Sequence, residues 1–338
     1  MRRRTFIRSS AIVAVSAATT VTLGSCNQEV GDSAGSNSDA TAPLKVGLVP
    51  WLGWGEAHIA DEKGFYAEEG VEVEHVLFQS VTDVNTALLS GQIDLVWLVA
   101  GDLVVLSDTQ PGLKFIYASD YSGEVDAIVG RNIENPKDIA GKTLAREEVP
   151  YEIVFVAKFL ESVGLTTDDV NVVPLTAADG ATALVAENLD AVATYEPFVT
   201  NALEGSDENK ILFSAKGTNV IVNGLAAPEE ILTNRREDVL AYIRAIEAAN
   251  QFRASNPEEA NEIVGEWVGL SGEEVADLMN KITMMDVASN KTIGFGDDKD
   301  QSIAGSIDSA GPILVEAGQA KSAIPGEELV DSSFIEAL

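Results

Sequence analysis

The feature that most constrains this chain is an internal repeat at an offset of 96 residues. Residues 82–89 followed by 91–96 recur as 178–185 followed by 187–192. Asp83, Thr86, Ala87, Leu88, Asp94 and Val96 return as Asp179, Thr182, Ala183, Leu184, Asp190 and Val192. Each copy reads as a helix, a tight turn and a short buried strand. The upstream parts match as well: a strand at 45–49, a helix at 56–69 and a strand at 73–78 answer to a strand at 142–145, a helix at 151–163 and a strand at 170–175. Gly70 and Gly164 stand where a helix end calls for a left-handed residue. Strand–helix–strand–helix–strand units force parallel strands with right-handed crossovers. Two such units predict two α/β lobes.

In open α/β sheets, small molecules bind outside the carboxyl ends of the strands, where helix N-termini point. That rule places the candidate ligand-binding residues in a few loops. The first half contributes Trp51, Trp54 and Gly55, then Gln79, Ser80 and Thr82, then Ala100 and Asp102, with Asp120 and Tyr121 further on. The second half contributes Glu147, Pro150 and Tyr151, then Thr176, then Glu196. Two ligand classes fit these loops. Helix N-termini near Gly55, Thr82 and Ala178 favour an anion. The carboxylates Asp102, Asp120, Glu147, Glu148, Glu152 and Glu196, beside Trp51, Trp54, Trp97, Tyr121, Tyr151 and Tyr195, suit a small nitrogenous cation. Arg146 is the nearest base, and no obvious arginine stands ready to grip a sulfonate or carboxylate bidentately.

The amino-terminal segment sets the compartment. Arg2, Arg3 and Arg4 precede an uncharged, mostly apolar stretch at 11–23 that is too short for a mature transmembrane helix. This is the pattern of a signal peptide over residues 1–26, and Arg3-Arg4 also fits a twin-arginine export signal. Leu23-Gly24-Ser25-Cys26 resembles the lipobox of bacterial and archaeal lipoproteins, which implies lipidation at Cys26. Residues 27–43 are rich in Ser, Gly, Asp, Ala and Thr and read as a flexible tether. The expected location is the outer face of the cytoplasmic membrane or the periplasm, with membrane contact through the lipid anchor only. Cys26 is the sole cysteine, so no intramolecular disulfide and no multi-cysteine metal site is available.

The chain carries 54 acidic against 22 basic residues, a formal charge of −32. Nucleic acids and anionic lipids want basic faces, so both are excluded as partners. Asp297-Asp298-Lys299-Asp300 looks like a fragment of a calcium loop, but the spacing and the closing Glu are missing, and it reads as a solvated turn. No cofactor motif and no metal motif is present.

Beyond Pro228 the pattern is helical. Residues 235–253 have helical periodicity, Asn256-Pro257-Glu258-Glu259 looks like a capped start, and another helix begins near Ser271-Gly272-Glu273-Glu274. These helices are expected to pack on the first lobe. Several short motifs, in order and at the right spacing, resemble the nitrate/sulfonate/taurine-type periplasmic binding proteins. They are Pro50-Trp51 with Gly55, Ala60-Asp61-Glu62-Lys63-Gly64-Phe65-Tyr66, Ser90-Gly91-Gln92-Ile93-Asp94, Asp138-Ile139-Ala140-Gly141-Lys142 and Thr194-Tyr195-Glu196-Pro197. The resemblance spans about residues 44–335. It implies a two-lobe type II periplasmic-binding-protein fold, with mainly parallel sheets flanked by helices and a helical C-terminal layer. Lobe one is expected at 44–123 plus 218–338 and lobe two at 124–217, joined by a two-segment hinge. It further implies a monomer that captures a small molecule of the sulfonate, taurine or nitrate class, or a small nitrogenous compound, and delivers it to an ABC transporter permease.

Other readings compete. Pyrimidine-precursor synthases of thiamine biosynthesis resemble the same fold but are cysteine-rich near the site, whereas here Cys26 lies in the export signal. His58 and His75 are the only histidines, and His58, near the first loop, is the weak candidate base. No nucleophilic triad, HExxH motif or Walker loop appears, so catalysis is not expected. A lipoprotein that presents a ligand to a sensor is the remaining alternative.

Overall fold

The computed structural model of the chain describes residues 42–338. The expected export signal, Cys26 and most of the tether lie outside the described residues.

Strand β1 (Leu44–Leu48) leads through a short turn to helix α1 (Gly55–Lys63), which a second piece, α2 (Phe65–Glu68), follows. The sequence reads as one helix here, but Gly64 adopts φ 76° and ends α1 after Lys63. A left-handed residue cannot continue an α-helix, and glycine takes that conformation at little cost. Strand β2 (Val73–Leu77), helix α3 (Val81–Leu89), strand β3 (Leu95–Val99), helix α4 (Leu103–Leu106) and the long strand β4 (Leu113–Tyr121) complete the first run. Every residue of β3 is buried, as its unbroken apolar sequence requires of a central strand covered on both faces.

The chain then crosses at 122–125 into β5 (Asp126–Arg131), β6 (Thr143–Arg146), α5 (Pro150–Ser162), β7 (Asn171–Pro174), α6 (Ala177–Val185), β8 (Ala191–Tyr195), α7 (Phe198–Glu204) and β9 (Asn209–Ser214). It returns at 215–221 into β10 (Val222–Pro228). Helices α8 (Glu229–Asn234), α9 (Arg236–Ser255), α10 (Pro257–Val268) and α11 (Gly272–Met279) follow, then β11 (Thr283–Met284), α12 (Val287–Ser289) and α13 (Ile303–Glu316).

These strands form a six-stranded sheet in the order β11-β4-β10-β3-β1-β2 and a five-stranded sheet in the order β7-β6-β8-β5-β9. In the first, β1 pairs parallel with β2 and β3; in the second, β6 pairs parallel with β7 and β8. The two repeat units thus build equivalent parallel cores. Strands β10 and β5 extend them in antiparallel fashion, against β3 and β8 respectively. Both enter directly from a crossing segment, and antiparallel pairing needs no crossover helix.

The residues that recur at 96 positions are structural pins. Ser80 Oγ accepts from Asp83 N at the start of α3, and Thr176 Oγ1 accepts from Asp179 N at the start of α6, both at 3.1 Å. Asp94 Oδ2 accepts from Lys45 N and Asp190 Oδ2 from Thr143 N, both at 2.9 Å, which ties each turn to the strand beside it.

The C-terminal helices divide. Helix α9 packs on α1, α2 and α10, as expected of a layer on the first sheet, whereas α13 also packs against α5 of the second. Ser271 and Glu274 form the reciprocal cap that their spacing predicts. Asn256 differs: its side chain makes no cap for α10 and instead donates to Phe252 O at the end of α9. One apolar cluster runs from Val96 and Leu98 through Phe155 and Phe159 of α5 to Ile128 and Leu144, so the two sheets share a continuous core.

Candidate functional site

The carboxyl ends of β1 and β3 face those of β6 and β8 across a cleft. Its inner end is a chamber of about 50 Å³. The segment after β1 supplies Val49, Pro50, Trp51 and Trp54 to its wall; Val81 and Val99 come from α3 and β3, Ile221 from the return crossing and Asn223 from β10. From the second sheet come Asp126, Tyr151 and Tyr195. A chamber of this size holds a few waters or a ligand of few heavy atoms. An outer vestibule of about 470 Å³ shares Val49, Pro50, Trp51, Val81 and Tyr195 with the chamber. It adds Gln79, Ser80, Glu147, Thr176 and Glu196. Trp51 and Tyr195 meet edge to face between the two spaces, with ring centroids 6.1 Å apart.

One buried acid, Asp126, lines the chamber, and other buried acids lie behind it. Asp126 is 5 % exposed, and burial pushes its carboxyl up to about 7, reinforced by the charges of Asp120 and Glu196 and opposed by the bond from Ser122 Oγ. Behind it, burial raises fully buried Asp120 to about 6, against the bonds donated by Asn223 Nδ2 and Ser119 Oγ. Gly53 permits this arrangement, since a Cβ there would sit 2.1 Å from Asp120 Oδ2 and 2.8 Å from Trp51 Nε1. Burial, then the charge of Glu147, holds Glu152 well above the ordinary carboxyl range. The indole nitrogens of Trp51 and Trp54 are buried without a hydrogen-bond partner.

The sequence-derived candidates separate into groups. Trp51, Trp54 and Tyr151 line the chamber, while Gln79, Ser80, Glu147, Thr176 and Glu196 line the vestibule. Several vestibule residues are also occupied as caps. Ser80 and Thr176 cap α3 and α6, and Glu147 Oε1 accepts from Ala177 N at 2.8 Å. Both oxygens of Glu196 engage Thr200 at 3.0 Å, at the start of α7. Asp102 is fully buried outside the chamber, where its Oδ1 accepts from Tyr151 N at 3.0 Å, and burial raises it to about 7. Of the helix N-termini expected to face an anion, those of α3 and α6 are partly met by the protein's own acceptors, while α1 has no side-chain cap.

The remaining candidates lie elsewhere. Gly55 packs against Val264 and Arg253, Thr82 is exposed, and Ala100 and Pro150 do not line the chamber. Tyr121 faces a separate pocket beside the crossing segments and donates to Gln301 O. Arg146 Nη1 turns to Glu147 O and Glu148 Oε1, at 2.8 and 3.2 Å, and away from the chamber lining. His58 stacks on Trp267 at 5.6 Å in another pocket. The reading from sequence missed Asp126 and Asn223. Each sits at the first or second residue of a strand that enters its sheet from a crossing segment, and that position is the one local sign available for them.

Comparison with known proteins agrees with this architecture. A family model described as NMT1/THI5 like matches residues 56–260. A binding protein of Brucella abortus (strain 2308) is 24% identical over 233 residues, which cover 67% of this chain and 72% of that protein. An ABC transporter periplasmic binding protein of Brachyspira hyodysenteriae is 24% identical over 269 residues, 74% of this chain and 75% of the relative. The periplasmic aliphatic sulphonate binding protein SsuA from Escherichia coli superposes with a TM-score of 0.72 at 15% identity, over 86% of this chain and 92% of SsuA. The fold is that of the periplasmic binding proteins, and by a family model covering more than half its length the chain belongs to the NMT1/THI5-like family.

Proposed function

We propose that this protein is an extracytoplasmic solute-binding lipoprotein that captures a small polar molecule and delivers it to an ABC importer. The observation that carries the reading is the chamber between the carboxyl ends of the two sheets, lined from both sides, with Trp51 edge to face against Tyr195 at its wall. In this reading the lobes are 44–123 plus 218–338 and 124–217, and they hinge at the crossings 122–125 and 215–221. Ligand release is then a hinge opening. Among the described residues, the chamber lining holds no Ser, Thr, Cys, His or Lys, so the common covalent nucleophiles are missing from it. The names of the relatives, a periplasmic binding protein and a sulphonate-binding protein, support the transport role.

The protein acts as a monomer, tethered through lipidated Cys26 to the outer face of the membrane and engaging a permease. Two experiments test this. Tryptophan fluorescence of the full chain, titrated with small anions, neutral solutes and cations, is expected to respond saturably to one class, because Trp51 and Trp54 line the chamber. A flat response to all three classes overturns the reading. Cys26→Ala is expected to move the protein from the membrane to the soluble fraction, and continued retention contradicts the anchor.

A further inference from the structure

The chamber differs from an oxyanion site in where its donors and charges lie. An oxyanion is usually gripped by free helix-terminal amides or by a guanidinium. Here one opening amide of α3, one of α5 and two of α6 (Asp83, Tyr151, Ala177 and Asp179) are already met by Ser80, Asp102, Glu147 and Thr176. No Lys or Arg stands among the chamber's lining residues. The indole nitrogen of Trp51 lies beside Gly53, as does Asp120 Oδ2, but makes no hydrogen bond. An arriving sulfonate or nitrate would find two indole N–H donors, but no positive charge in the lining and the carboxylate of Asp126 against it.

The acids themselves are left incomplete. Asp126 lines the chamber and is more than nine-tenths buried. Ser122 Oγ donates to its Oδ2, while Oδ1 takes no hydrogen bond from the described residues. Asp120 and Glu196 stand close enough to add their negative potential to that of Asp126. A buried carboxylate without a counter-charge is costly, and a cation carrying N–H donors removes that cost by pairing with it. The aromatic lining supplies the second half of such a site, since rings attract a desolvated cation. The chamber's volume limits the ligand to a few heavy atoms.

We propose that the chamber takes a compact organic cation bearing N–H groups, such as a small amidinium or primary ammonium, paired with Asp126 and enclosed by Trp51, Tyr151 and Tyr195. This rests on the solute-capture reading above and narrows it to one ligand class.

The test is calorimetric titration of the detergent-solubilised full chain at pH 8. The probes are guanidinium and methylammonium at low millimolar concentration, against methanesulfonate, taurine and nitrate. The expected result is saturable binding of at least one of the two cations, at least tenfold tighter than any of the other three. Asp126→Asn is expected to lower cation affinity tenfold or more while its melting temperature stays equal or rises, since it removes a buried charge without removing volume. Tyr195→Leu, which leaves Asp126 untouched, is expected to weaken the same cation at least threefold. Tighter binding of methanesulfonate, taurine or nitrate overturns the cation assignment and leaves solute capture standing. Cation affinity unchanged in a folded Asp126→Asn also overturns it. Binding of no probe from either class counts against both readings.

Discussion

The backbone N–H of Tyr151, in the first turn of α5, donates to the carboxylate of Asp102 at 3.0 Å, and Asp102 follows β3 of the other sheet. This bond spans the two sheets beside the chamber that Tyr151 lines. A carboxylate at a helix N-terminus is favoured by the helix dipole as well as by the hydrogen bond. In the hinged two-lobe reading Asp102 is a latch between the lobes, and four predictions concern it and its neighbours.

Asp102→Ala removes the acceptor and leaves the α5 amide unpaired. A hydrogen bond to a charged group contributes about 1.5–3 kcal/mol, so the closed form should lose roughly tenfold or more in population relative to an open one. Small-angle scattering should show a larger radius of gyration for the variant. Asp102→Asn keeps an acceptor oxygen and should stay close to the parent; an Ala variant as compact as the parent would remove the latch role.

Stability should fall as pH rises from 5 to 8. Burial raises Asp102 and Asp126 to about 7 and Asp120 to about 6, above the value near 3.9 that unfolded aspartates have. The folded chain thus holds protons that the unfolded chain releases between these values. The stabilisation is fully present below the unfolded value and is lost as pH climbs through the folded ones. The formal charge of −32 acts in the same direction through self-repulsion. His75, which burial lowers to about 4, opposes this below its unfolded value near 6.5, and Asp308, held low by the Gly326 amide, opposes it only at more acidic pH, but the three raised acids outnumber them. Scanning calorimetry should give a melting temperature several degrees higher at pH 5 than at pH 8, and the reverse order would contradict the burial of these acids.

Cation affinity should depend on pH with the opposite sign. Asp126 sits at about 7 in the empty chamber, among Asp120, Glu196, Glu152, Tyr151 and Tyr195, and a bound cation lowers it. Affinity is then full above pH 7 and drops towards tenfold per unit below it, until the bound-state value is reached. A titration series between pH 5.5 and 8.5 checks this. Affinity independent of pH would show that Asp126 does not pair with the ligand.

Gly53→Ala should destabilise the fold and, because the added Cβ also crowds Trp51 Nε1, disturb the chamber wall. The added Cβ lies 2.1 Å from Asp120 Oδ2, so the loop or the carboxylate must shift. Overpacking of this kind costs about 1–3 kcal/mol, which lowers the melting temperature by roughly 2–10 °C in a protein of this size. Thermal unfolding that matches the parent would mean that the loop relaxes freely.

Much of the architecture was legible because its causes are local. Ser80 with Asp83 and Thr176 with Asp179 sit three residues apart, and so a helix start can be read from either pair. The helix that breaks at Gly64 was misread because the surrounding residues all favour helix, and only the backbone angle at one glycine interrupts it. The repeat itself marks what each half needs in order to fold. The chamber residues are not among its conserved pairs, and so the repeat pointed to the loops but not to the chemistry.

The sequence by itself determined two α/β units, their parallel cores and the strand ends at which the candidate site lies, because periodicity and capping act over a few residues. Tertiary structure decided which acids face the chamber and which serve as caps. Glu147, Glu196 and Asp102 are drawn to the amides of α6, α7 and α5, while Asp126 and Asn223, 97 positions apart, meet in the chamber wall. That sorting depends on how the two crossing segments bring the sheets together, and no short-range pattern records it.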